Sequence, residues 1–298
     1  MPFASFYISH RITILTNNAK GLILTSLGVL IMSLESLFIK FTTISSFLFS
    51  FYIGIFMFVS MASTLLFKEK DFVKNAIKSS FPILIVCSIL MGVSNIFFIT
   101  AVKTTTVANV VIIFSTAALF SALFAYLFYK EKITKNIFYA SFFMFLGLYI
   151  IFNDQLNIGS FEGNVYALLC TALFSISFVL LSRYKEMDRV VLTAFSGVSL
   201  SVIAFFFCDE LLIDFKTLTI VMVMGLVISP FSRVLLGNGA KYISASEVSL
   251  LMIIETIMAP IWVWIFLNEV PSSYTFIGGS IIIATLIVNS IYTLKRGE

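Results

Sequence analysis

Three ionisable residues stand where ionisable residues are costly. Glu35, Arg233 and Glu255 each interrupt a long apolar run. A charge at the centre of a bilayer costs about 2.5–3.5 kcal/mol on insertion scales, so such a residue faces a polar interior and marks a functional site. Their chemistries are complementary. Arg233 offers a planar fork of donors suited to a carboxylate or phosphate. Desolvation disfavours the charged form of Glu255 and Glu35, so either could take up a proton and couple its passage to that of a solute. The simpler alternative is that Arg233 pairs with one glutamate merely to neutralise buried charge. Asn95, Ser94, Ser229, Ser232 and Asn238 add hydrogen-bonding groups at similar depth, able to hold a substrate or a neighbouring helix. Pro260 removes the donor that would bond the Thr256 carbonyl, so a bend or gating hinge is expected beside Glu255.

Helical elements must position these groups. Glu35 shares a helical face with Thr25, Gly28, Met32 and Ser36, and Glu255 shares one with Met252, Thr256 and Ala259. Hydrophobic residues make up 60% of the 298-residue chain and charged residues 11%, with a mean hydropathy of +1.07. A spanning helix needs about 20 apolar residues to cross a hydrocarbon core about 30 Å thick. Ten such spans are expected, near 21–41, 44–67, 81–102, 106–129, 136–152, 163–182, 190–208, 217–236, 247–267 and 274–293. They leave fewer than a hundred residues for loops and tails, too few for a soluble domain. The fold class predicted is an all-α integral membrane protein.

Charge distribution sets the expected orientation. With the N-terminus inside, fifteen of the nineteen basic residues fall in cytoplasmic connections and only Lys40, Lys103 and Lys216 fall outside, with Arg233 inside a span. Excess Lys and Arg mark the cytoplasmic side, so both termini are expected in the cytoplasm of a cell (inner) membrane protein. The net charge of +4 therefore reads as topology, and no nucleic-acid partner is expected. A cleavable targeting segment is not expected either, because the first apolar run is long and contains Glu35. Cys87, Cys170 and Cys208 have unrelated spacings, so neither a disulfide framework nor a metal site is predicted, and no cofactor. His10, the single histidine, reads as a solvated or interfacial residue, and the 34 phenylalanines read as bilayer contact.

The chain also matches itself. At a shift of 138 residues, Ser94 meets Ser232, Asn95 meets Arg233, Lys103 meets Lys241, Glu131 meets Glu269 and Phe138 meets Phe276. Upstream a shift of 142 pairs Gly21 with Gly163, Leu27 with Leu169 and Ser33 with Ser175. The domains expected are a lead over 1–20, a first repeat over 21–152 and a second over 163–293. Five helices per repeat is an odd number, so the second enters the membrane from the opposite side. Such inverted repeats let one chain adopt inward-open and outward-open shapes around a midplane site. That predicts a secondary transporter for a small-molecule substrate, with the lipid bilayer as its environment. An enzyme is not expected, since no HExxH, GxSxG or P-loop pattern occurs. Glu131, Glu269, Lys103 and Lys241 lie at span ends, where tying loops or marking the boundary is the expected role, with a gate at the two lysines as the alternative. Trp262 and Trp264 should face different sides of their helix.

The run from Glu255 through Ala259-Pro260-Ile261-Trp262 to Asn268-Glu269-Val270-Pro271, followed by Gly278-Gly279, resembles the second repeat of EamA-type permeases of the drug/metabolite transporter superfamily. A weaker version runs from Ala101 through Thr106-Val107-Ala108-Asn109 to Glu131-Lys132-Ile133-Thr134 and Gly147. The resemblance implies secondary transport of small polar metabolites by alternating access, most often export of amino acids or related compounds. Import or exchange of a larger solute, such as a nucleotide-like cofactor, is the alternative it leaves open. Many members carry proline in the fourth span, where Ala118 to Ala122 offers none. Substrate-binding residues expected are Glu255, Arg233, Glu35, Asn95 and Ser232, with Pro260 as hinge and proton coupling as a possible partner process.

Overall fold

A computed structural model describes residues 2–68, 81–130, 135–155, 161–184, 186–243 and 245–296. Glu131, Lys70, Lys74, Lys78, Lys132, Lys185 and the side chain of His10 fall outside the described residues. The described chain is helical throughout, running α1 (Pro2–Met32), α2 (Glu35–Lys40), α3 (Ser46–Leu66), α4 (Phe81–Thr104), α5 (Val107–Ser115), α6 (Ala117–Tyr129), α7 (Lys135–Gln155), α8 (Phe161–Arg183), α9 (Arg189–Phe205), α10 (Phe215–Val223), a π segment (Met224–Ile228), α11 (Ser229–Gly239), α12 (Ala245–Leu267) and α13 (Ser273–Arg296). Among the described residues, seven helical stretches are long and apolar enough to cross a membrane, and Arg189–Phe205, Leu251–Leu267 and Ser273–Asn289 are shorter apolar helices. Outward faces stay apolar: Phe142, Tyr149, Phe206 and Val288 are all more than half exposed. That is what lipid, rather than water, would cover.

Three expected spans are not continuous helices. The first breaks between α1 and α2, where the Ser33 hydroxyl bonds back to the Leu30 carbonyl at 2.7 Å. The fourth breaks between α5 and α6, where Thr116 does the same to Ile113 at 2.6 Å. Hydroxyl back-bonding of this kind competes with the helical ladder and bends it. The third interruption is the π segment, where the Ser229 amide bonds the Met224 carbonyl five residues back. Pro230 follows and supplies no amide to the Leu226 carbonyl. Ser60 of α3 bonds that carbonyl instead, at 2.6 Å.

The two halves pack reciprocally. A Cβ on Gly54 would lie 2.6 Å from the Gly197 carbonyl and 2.6 Å from the Ser201 amide; one on Gly197 would lie 2.7 Å from the Gly54 carbonyl and 2.9 Å from the Phe58 amide. Each of those contacts becomes the other when the halves are exchanged. The same holds farther out: Gly21 of α1 packs against Tyr242 and Ile243, and Gly163 of α8 against Thr104 and Thr105. Partners of one glycine lie 138 residues from partners of the other, as the repeat alignment requires. The backbone repeats too. Among the described residues, Lys130 and Asn268 are the non-glycine positions with positive φ, at 56° and 55°. They close α6 and α12 through bonds to Tyr126 and Trp264, 138 residues apart. Helix partnerships follow suit, α4 on α8 corresponding to α11 on α1, and α4 on α9 to the π segment on α3.

Helix starts carry side-chain caps at corresponding places. Ser45 accepts from the Leu48 amide to open α3, and Asp188 accepts from the Val190 and Val191 amides to open α9. Asp188 also binds Lys68 at 2.8 Å, joining the two helices. Burial alone would push the Asp188 carboxyl up, but the bonds from Lys68, Val191 and Val190 outweigh it and hold the group below its ordinary range. A depressed folded value means that Asp188 stabilises the protein above its unfolded pKa of about 3.9 and loses that contribution as pH falls through the lower folded value. Asp188→Asn is expected to cost about 1 kcal/mol at neutral pH. Thermal unfolding in mild detergent checks it: the gap between wild type and variant should close below about pH 4. A gap that persists at pH 3 would count against the charged cap.

Candidate functional site

A cavity of about 810 Å³ runs from the middle of the bundle to one end of it. Glu35, Asn95, Arg233 and Glu255 line its inner part, while Arg183, Glu186, Arg189 and Lys241 line its mouth. All five sequence-predicted binding residues lie here or at its wall, since Ser232 packs beside Glu35 at 3.5 Å.

The break between α1 and α2 places Glu35 in the first turn of a short helix, and the π segment sets the register of α11, which carries Arg233. The two charges meet with Arg233 Nη1 2.5 Å from Glu35 Oε1 and Nη2 3.4 Å from Oε2. Nη2 also donates to Asn95 Oδ1 at 2.8 Å, and Nη1 to the Ser229 carbonyl at 3.0 Å. Four bonds therefore occupy most of the five N–H donors a guanidinium possesses. Arg233 serves here as the counter-ion of Glu35, the simpler of the two roles considered for it. Asn95 and Arg233 occupy equivalent positions in the two repeats, so their direct contact puts them at the centre of the exchange between halves. Ser232 bonds mainly its own turn, donating to the Ser229 carbonyl at 3.0 Å.

Glu255 is differently placed. It is only 3% exposed, it lines the same cavity, and among the described residues no hydrogen-bond or ion-pair partner meets its carboxylate. Pro260 lies inside α12, five residues on. Trp262 turns inward and donates to the Ser33 hydroxyl at 3.0 Å, whereas Trp264 is 56% exposed.

Sequence reasoning missed two features. Phenylalanines do not serve the bilayer alone: Phe98, Phe114, Phe174 and Phe178 form one wall of the cavity, with successive ring centroids 6.0, 4.9 and 6.1 Å apart. An apolar alphabet hides which face of a helix a ring occupies, so no signal distinguished these four. The second feature is a lock at the end opposite the mouth. Glu269 binds Lys40 at 2.9 Å and accepts from the Val107 amide at 2.6 Å. Lys103 donates to the Thr42 and Ile44 carbonyls at 2.9 and 2.8 Å. Beneath it, fully buried Asn109 accepts from Thr275 at 2.6 Å and donates to Asn164 at 3.3 Å. The Lys-to-Glu interval repeated in both halves was the available signal.

Apolar spans, reciprocal halves and a polar cavity among them define a polytopic integral membrane protein of the solute-carrying class. The family model of the EamA-like transporter family matches residues 19–153 and 161–291. The chain therefore belongs to that family, within the drug/metabolite transporter superfamily. A solved protein crystal structure has the same fold, with a TM-score of 0.68 at 13% identity, covering 92% of this chain and 98% of that one. No functionally curated protein matches the sequence.

Proposed function

We propose that the protein is a secondary transporter of small polar metabolites, working by alternating access and exporting amino acids or related compounds from the cytoplasm. Ten helices in two inverted five-helix repeats, spanning about 21–152 and 163–293, form its body in a cell (inner) membrane, with both termini inside. Reciprocal contacts between the halves favour the inverted arrangement, because each half can take up the other's conformation. One observation carries the reading: the cavity holding Glu255 and the Glu35–Arg233 pair opens towards Glu186 and Lys241 and is shut at its other end by Lys40–Glu269 and Lys103. The open end carries the basic loops and faces the cytoplasm. The shape is that of an inward-open carrier.

Proton exchange at Glu255 supplies a driving force. Glu35, Arg233 and Cys170 are the titratable groups sharing its part of the cavity. Counterflow in proteoliposomes across a pH series, against a panel of amino acids and amines, tests the proposal. Wild type should exchange solute faster when a proton gradient opposes it, and Glu255→Gln should remove the pH dependence. Transport that is unchanged and still pH-sensitive in both Glu255→Gln and Arg233→Met would refute these roles.

A further inference from the structure

We infer that the deep cavity selects an organic monocation, an amine carried on an apolar or aromatic body, with Glu255 as the group that receives the ammonium. The inference rests on the cavity being the transport site and deepens that proposal.

Charge bookkeeping in the inner cavity leads to it. Glu35 and Arg233 cancel through paired contacts, and Asn95 and Ser229 take further donors of the guanidinium. What remains is the Glu255 carboxylate, 3% exposed and without a partner among the described residues. An ionised carboxylate in that position is strongly unfavourable until a cation or a proton neutralises it. An anionic solute would face this charge with little donor capacity left on Arg233. A zwitterion would satisfy Glu255 and strand its own carboxylate. A monocation satisfies the site completely.

The wall opposite supplies the rest of the recognition. Phe98, Phe114, Phe174 and Phe178 present a continuous run of rings to the same space. Ring faces attract cations and pack against apolar or aromatic bodies. Arg183, Arg189 and Lys241 at the mouth are opposed by Glu186 alone, which gives a positive rim. That rim stands at the water boundary, where screening within about 10 Å weakens it. Arg183 is moreover drawn aside, its guanidinium 4.5 Å above the Tyr129 ring. Interactions at low dielectric outweigh it, and those belong to Glu255.

Three probes with one aromatic body and different charge test the assignment: phenethylamine, phenylalanine and phenylacetate, each titrated into purified protein in detergent by calorimetry. Phenethylamine should bind tightest, phenylalanine about ten-fold or more weaker, and phenylacetate weaker still, the ratio expected for losing one charge-assisted contact. Glu255→Gln should bring phenethylamine down to the level of phenylalanine, while Glu255→Asp, which keeps the charge, should retain the order. Phe174→Leu should weaken phenethylamine a few-fold and leave ethylamine unchanged. Phenylacetate or phenylalanine binding as tightly as phenethylamine would overturn the inference, as would no binding of any probe or an order unaffected by Glu255→Gln. Because binding is read without a membrane, a preserved order with no counterflow would support the cation site while removing the transport proposal.

Discussion

Arg233→Met is expected to lower the stability of the bundle by about 3 kcal/mol, the low end of the cost of breaking a buried ion pair. The reason is what it leaves behind. Glu35 is 4% exposed in its side chain, and its carboxylate would lose both guanidinium contacts at once. The low end applies because the Arg233 side chain is 23% exposed to the cavity, where water recovers part of the loss. Adding Glu35→Gln should restore most of the stability, since two neutral groups of similar volume carry no stranded charge. Asn95→Ala should act weakly, removing one of the four bonds to the guanidinium. Thermal unfolding of the single and double variants gives the coupling directly. A coupling below about 0.5 kcal/mol would show that water, and not Glu35, balances Arg233. Transport should remain impaired in the double variant, because restoring neutrality does not restore the shape of the cavity floor.

Sequence made the architecture legible for physical reasons. Lipid imposes a long apolar run on each span, and duplication leaves charged matches that an apolar alphabet does not generate freely. Lys103 with Lys241 and Glu131 with Glu269 located the repeat boundary to the residue, and Lys130 and Asn268 carry the same φ at the same offset. The candidate site was legible in membership but not in pairing. Cost alone singles out Glu35, Arg233 and Glu255, yet nothing in spacing says which glutamate Arg233 meets. That choice depends on the break at Ser33 and the π segment at Met224–Ile228. Neither has a strong local signal: a serine within a helix usually causes no break, and Pro230 marks the π segment only once Ser60 is known to take the freed carbonyl. The aromatic wall was invisible for the opposite reason, because phenylalanine is everywhere.

Glu269→Gln should move the protein from the shape described here towards one open at the opposite end, by about ten-fold or more in population. One carboxylate there holds three segments, binding Lys40 through one oxygen and the Val107 amide through the other, while Lys40 also reaches the Thr105 carbonyl at 3.0 Å. Charge-assisted bonds of this kind contribute about 1.5–3 kcal/mol each when partly buried, enough to bias two near-equal states. Repeat symmetry identifies the counterweight. Lys241 corresponds to Lys103, and Tyr184 and Glu186 correspond to Thr42 and Ile44 at the upstream shift of 142. In the present shape Lys241 lines the open mouth; in the exchanged shape it should close on the carbonyls of Tyr184 and Glu186 as Lys103 now closes on its own pair. Lys241→Met should therefore favour the present shape, opposite in sign to Glu269→Gln. Labelling by a membrane-impermeant thiol reagent reads both. With Cys87, Cys170 and Cys208 replaced by serine, Thr275→Cys, buried beneath the lock, should react faster from outside in Glu269→Gln and more slowly in Lys241→Met. Two changes of the same sign would mean that the charged ends stabilise the bundle without setting its direction, and the reciprocity of the halves would then be structural alone.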